Sequence, residues 1–184
     1  MFKKIFLIFI FTSFINQSYA KENIMILKLK DGDVIIELYE DIAPNHVNRF
    51  KQFVKEKRYD GVVFHRVIDG FMAQTGDVQF GNSNSTNYDL KRAGTGGSEY
   101  PDLKAEFSEL PHERGTLSMA RSADPNSANS QFFICFKSAP SLDRQYTVFG
   151  KVINGMEFID LIKKGEGSNG EVSKPDIIIS LAAK

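Results

Sequence analysis

The chain has 184 residues, with 23 basic and 23 acidic side chains, one cysteine and no tryptophan. That balance gives no electrostatic reason to expect nucleic acid or an anionic membrane as a partner, and a single cysteine excludes an intrachain disulfide. The length suits one domain with a sizeable core.

Lys3 and Lys4 precede an apolar run over residues 5–15, and Ser18-Tyr19-Ala20 puts small residues where a signal peptidase reads. The run is shorter than the roughly 20 apolar residues that a membrane span requires. Residues 1–20 are therefore expected to be a signal peptide cleaved after Ala20. Residues 21–184 would form one exported, periplasmic domain without a membrane attachment.

Residues 24–29 and 34–38 alternate apolar and polar side chains around Asp31-Gly32-Asp33, which predicts a β-hairpin. Pro44 opens a helix whose apolar positions Val47, Phe50, Phe53 and Val54 recur at helical spacing. His46 lies on that helix with no second ligand at a metal spacing and is expected at the surface. Residues 64–77 then start as a half-buried strand but set Arg66 and Gln74 among Phe64, Val67, Ile68, Phe71 and Met72. Charged side chains are seldom buried unless paired. Arg66 therefore either reaches an acidic partner or lines a pocket for a polar ligand group, and the local pattern does not decide between them.

Residues 78–100 are polar and rich in Asn, Ser and Gly, and so long a connection predicts a functional or mobile loop. Gly94-Thr95-Gly96-Gly97 lacks the lysine and the spacing of a phosphate-binding loop. Apolar runs at 116–120, 131–136 and 148–152 predict further strands, with Cys135 as a buried, inert thiol. Met156, Ile159, Leu161 and Ile162 predict a second helix ended by Gly165, and residues 177–181 a last strand placed to pair with the first. Short strands with two helices predict a mainly β fold, a closed antiparallel barrel that absorbs both terminal strands. Ser118, His112 and the scattered aspartates show no hydrolase spacing, and no metal site is expected.

Five blocks carry a more specific signal. They are Phe64-His65-Arg66-Val67-Ile68 with Gly70-Phe71-Met72 and Gln74, then Gly94-Thr95-Gly96-Gly97, then Gly115-Thr116-Leu117-Ser118-Met119-Ala120, then Ser130-Gln131-Phe132-Phe133-Ile134, and Val148-Phe149-Gly150-Lys151-Val152. In this order they resemble the cyclophilin-type peptidyl-prolyl isomerases, over residues 24–181. The resemblance implies an eight-stranded antiparallel β-barrel capped by two α-helices, with the site on its outer surface. It implies a proline pocket of Phe71, Met72, Phe133 and Leu142, with Ile68 beside it. Arg66 and Gln74 would be the catalytic residues at its polar edge, with Gln131 supporting Arg66. Ala120, Arg121 and Ser122 would give backbone contacts to the peptide, Tyr146 would close the rim, and Gly94 would lie along the neighbouring groove.

The implied partners are proline-containing polypeptides, handled by a monomer that assists the folding of exported proteins. No metal or cofactor is implied, because rotation about an X-Pro amide requires only that the twisted form be favoured over both planar ones. The chain departs from the family at Ser141, where tryptophan is frequent, which removes a donor and an apolar wall from the cyclosporin-binding face. It also has Tyr146 for a frequent histidine, Arg121 for asparagine and Asp69 for proline. Two other classes compete. A proline-peptide-binding chaperone with little catalysis would not need both Arg66 and Gln74, and a small-ligand carrier would need a lumen that the many Phe, Ile and Leu residues instead fill.

Overall fold

The computed structural model describes residues 23–184; the expected signal peptide, residues 1–20, lies outside the described residues. The predicted first hairpin is β1 (Ile24–Lys28) and β2 (Asp33–Leu38), paired antiparallel from Ile24↔Glu37 to Lys28↔Asp33. Alternation puts Met25, Leu27, Val34 and Ile36 inside. Gly32 is required by a close approach, since a Cβ there would come within 2.5 Å of the Phe158 ring.

Helix α1 (Pro44–Lys55) buries His46, Val47, Phe50, Phe53 and Val54. Its N-cap residue, Ala43, offers no side-chain cap. The Glu106 carboxylate, from a distant loop, accepts the Asn45 and His46 backbone N–H groups at 3.1 Å each. An anion at a helix N-terminus satisfies orphan donors and complements the helix dipole. This corrects the expected place of His46, which is fully buried and donates Nδ1–H to Glu106 at 2.6 Å.

The remaining strands are β3 (Arg66–Ile68), β4 (Met72–Thr75), β5 (Thr116–Met119), β6 (Phe132–Cys135), β7 (Val148–Asn154) and β8 (Ser180–Ala183). They form one eight-stranded sheet in the order β3-β4-β6-β5-β7-β2-β1-β8. As expected, the last strand pairs with the first, although it begins three residues later than the sequence pattern placed it. Helix α2 (Met156–Asp160) is shorter than its apolar pattern suggested, and Leu161 is 59% exposed.

The sheet curls into a half-barrel rather than a fully closed one. Between β8 and β3 the ladder is replaced by isolated bridges, Val63↔Ile177 and Arg66↔Glu171. Gly165, Gly167, Gly170 and Pro175 interrupt extended pairing in the segment that crosses this seam. Inside the curl, Phe50, Tyr59, Phe132 and Phe149 pack with ring centroids 5.2–6.2 Å apart. Aromatic side chains thus pack against one another within the lumen. Among the described residues no helix is long and apolar enough to cross a membrane.

Candidate functional site

Because side chains alternate across a strand, the register of β3, β4, β6 and β5 lines up two outward rows. One row runs Arg66↔Gln74↔Phe133↔Ser118 and the next runs Ile68↔Met72↔Cys135. The inward row between them, Val67↔Ala73↔Ile134↔Leu117, belongs to the main core. Met72, Phe133 and Cys135 form a second apolar cluster outside the sheet, against which Ile68, Phe71, Ala120, Leu142 and Tyr146 pack.

This second cluster floors a cavity of about 200 Å³ lined by Arg66, Phe71, Met72, Gln74, Ala120, Arg121, Phe133, Leu142 and Tyr146. Each of these is among the site residues that the resemblance implies. Ile68 packs beneath the cavity without lining it. Gly94, Ser122 and Gln131 line an adjoining groove of about 490 Å³ that shares Gln74, Ala120 and Arg121 with the pocket. Cys135 is buried, and burial pushes its thiol up to about 12, which fits the expected inert role.

Arg66 has no acidic partner among the described ion pairs, which leaves the pocket as its place of work. Its Nε donates to the Asn169 carbonyl at 2.9 Å and its Nη1 to Gln74 Oε1 at 3.2 Å. Gln74 Nε2 donates to Gln131 Oε1 at 3.0 Å, and Gln131 Nε2 donates to the carbonyls of Gly94 and Gly96. Each amide passes the polarity on in one direction. Nη2 of Arg66 donates to no protein group among the described residues, so a donor remains for a ligand at the pocket edge.

Sequence reasoning missed three supports of this site. Asp77 is fully buried, and its carboxylate accepts the backbone N–H groups of Gln79, Phe80, Gly94 and Gly96 at 2.7–3.0 Å. The long loop is thereby pinned at both of its ends beside Gln131. Gly94 has φ +97°, and a Cβ there would meet the His65 ring at 2.8 Å.

The second support is His112, also fully buried and stacked on Phe133 at 6.1 Å. Its backbone N–H and Nδ1 both meet Asp143 Oδ1, at 2.8 and 2.9 Å, and Nε2 lies 3.0 Å from Ser118 Oγ. These bonds hold the Asp143 carboxyl below the usual carboxylate range. The distances resemble a Ser-His-Asp triad, but Ser118 is fully buried and donates its hydroxyl to the Thr147 carbonyl at 2.9 Å. Buried in this way, Ser118 is not placed to act as a nucleophile. The set instead holds the rim segment by Asp143, next to Leu142, and Thr147, next to Tyr146.

The third support is the Arg121 side chain. It lies 4.4 Å over the Tyr146 ring and donates to the carbonyls of Gln145 and Ser122. The resemblance had implied only a backbone role for it. No signal in the local sequence links Arg121 to Gln145, 24 positions away, or His112 to Asp143, 31 positions away.

Comparison with known proteins places this geometry. The family model for cyclophilin type peptidyl-prolyl cis-trans isomerase/CLD matches residues 24–183. A protein of Brucella suis biovar 1 named "Probable peptidyl-prolyl cis-trans isomerase" is 62% identical over 159 residues, covering 86% of this chain and 81% of its own. The peptidyl-prolyl cis-trans isomerase of Helicobacter pylori strain J99 is 36% identical, covering 88% and 93%. Among solved structures, a Cryptosporidium parvum cyclophilin type isomerase in the presence of the dipeptide Ala-Pro superposes with a TM-score of 0.73. It is 28% identical, covering 88% of this chain and 98% of that one.

Proposed function

The chain belongs to the cyclophilin-type peptidyl-prolyl cis-trans isomerases, and from that premise we propose that Arg66 is its principal catalytic residue, held in place by Gln74. Resonance gives the amide a rotation barrier of about 18–20 kcal/mol, and spontaneous X-Pro exchange takes tens to hundreds of seconds. Twisting the bond returns a lone pair to the proline nitrogen and makes it a better acceptor. A fixed donor at that atom favours the transition state over both planar forms.

The observation that carries this reading is the free Nη2 of Arg66 on the wall of a cavity of about 200 Å³ whose apolar side is made by Phe71, Met72, Phe133 and Leu142. Phe71, Met72, Phe133 and Leu142 hold the ring while the residue before it swings. Arg66 stays charged throughout, so no proton is transferred. Shortening about 100 s to about 10 ms corresponds to roughly 5.4 kcal/mol of barrier. One charged donor plus orientation is of that order.

Its clients are proline-containing polypeptides, in line with the dipeptide named for the Cryptosporidium structure. The basic and apolar pattern of residues 1–20 supports export to the periplasm, where folding proteins would be those clients. N-terminal sequencing of the exported protein tests the cleavage after Ala20. Exchange rates of a proline peptide test the catalytic role. Arg66→Ala is expected to lower kcat/KM by about a hundredfold to a thousandfold, with Arg66→Lys in between. Turnover near wild type in both variants, with the fold intact, would overturn it.

A further inference from the structure

The last backbone bond between β5 and the chain entering β7 runs from Met119 N–H to the Thr147 carbonyl at 3.0 Å. Beyond it the two segments part, and the proline pocket takes Ala120 from one and Leu142 and Tyr146 from the other. Among the described residues, the only hydrogen bonds that join residues 120–128 to residues 140–146 come from the Arg121 side chain. Its Nε and Nη2 donate to the Gln145 carbonyl at 3.1 and 3.0 Å, and its Nη1 donates to the Ser122 carbonyl at 2.9 Å. The guanidinium also covers the Tyr146 ring, which in turn meets Phe133 edge-on with centroids 5.8 Å apart.

The turn tied down in this way is strained. Arg144 has φ +59°, in the left-handed region that residues other than glycine seldom adopt. Such a conformation persists only where surrounding contacts over-determine it. Here the contacts come from two directions. Asp143 accepts the His112 N–H at 2.8 Å, which anchors the turn to the body of the protein. Arg121 ties the turn where pocket and groove meet, since it lines both. The Arg144 side chain itself adds little, because its ion pair with Glu109 is exposed on both sides.

Arg121 and Tyr146 are also two of the positions at which this chain departs from the family pattern, where asparagine and histidine are frequent. An asparagine is shorter and has no guanidinium to lay on a ring, so the bridge depends on this chain's own pair.

We propose that Arg121 is a positioning residue that sets the rim of the proline pocket. By tying Gln145 and covering Tyr146 it holds the strained turn in place, so that the free protein already has the shape the peptide requires. The inference rests on the isomerase reading given above. A preformed site avoids ordering costs on binding, so loss of Arg121 appears as weaker binding. Arg66 is held separately, by Asn169 and Gln74, and keeps its action on the reacting amide.

The test measures affinity for a short proline peptide and, separately, its turnover, in Arg121→Ala and Arg121→Lys. Lysine keeps the charge but lacks the planar face and the fork of donors. Both variants are expected to bind the peptide about tenfold more weakly, with kcat within about twofold of wild type. In the free variants the Tyr146 ring resonances are expected to shift while those of Tyr59, fully buried in the main core, stay in place. That pattern separates a local effect on the rim from general loosening. Wild-type affinity in the lysine variant would assign any effect to charge alone and overturn the proposal. A fall in kcat at unchanged affinity, or resonances of both tyrosines shifting alike, would overturn it too. If the wild-type protein showed no turnover, the isomerase reading would fall, and the affinities would still decide the role of Arg121.

Discussion

Arg66 acts as a fixed charge, so its contribution does not depend on a titrating proton. The rate constant is therefore expected to be flat from about pH 6 to 9. Stability behaves differently, because His65 and His46 are both buried and both hold their protons less tightly than usual. For His65 the folded value is about 4 against 6.5 in the open chain. Above pH 6.5 both states are neutral and His65 adds no slope. As pH falls from 6.5 towards 4, the unfolded chain binds a proton that the folded one refuses, and stability declines by up to roughly 3 kcal/mol. Urea midpoints at pH 7, 6 and 5 should fall accordingly, and His65→Gln should flatten the decline. At this scale the pocket residues were legible from sequence, since they sit in short contiguous blocks. His46, Asp77 and His112 were not. Each is a polar residue whose burial relies on a partner far along the chain: Glu106, the Gly94 and Gly96 amides (beside those of the nearby Gln79 and Phe80), and Asp143.

Two loops carry the site as much as the strands do. The segment around Asn169 and Gly170 lies on β3, where Val67 N–H donates to the Gly170 carbonyl at 2.7 Å and Asn169 receives Arg66 Nε. Gly170 has φ +76°, and a Cβ there would come within 2.5 Å of Ile68 Cγ1. Gly170→Ala is expected to push this loop off β3, lowering kcat about tenfold or more while peptide affinity changes less, because the added methyl meets Ile68 and Val67 before the side chains that line the pocket. Comparing KM with kcat checks this. The long loop depends on Asp77 in the same way. Asp77→Asn turns two carboxylate acceptors into one and points an amide at backbone donors. A loss of about 2–3 kcal/mol is expected, together with faster proteolysis within residues 78–100, readable by limited digestion. Element types were largely legible, because periodicity reports burial along one element. Their ends were less so: α2 stops early, and β8 starts late because Asp176 and Ile178 bond to residues 61–64 instead.

At the scale of the molecule, the seam between β8 and β3 replaces a ladder with isolated bridges, so the half-barrel is expected to open there first. Amide exchange should be faster for residues 170–178 than for β5 and β6, which have paired neighbours on both sides. Uniform protection across the sheet would contradict this. The alternation along β6 has a separate consequence. Phe132 and Ile134 belong to the inner cluster, while Phe133 and Cys135 belong to the outer one. Neighbouring residues therefore answer to different demands, and a library confined to outward positions could retune which peptides enter without touching what holds the chain together. Selectivity in this protein can be evolved or engineered on a scaffold that need not be rebuilt each time.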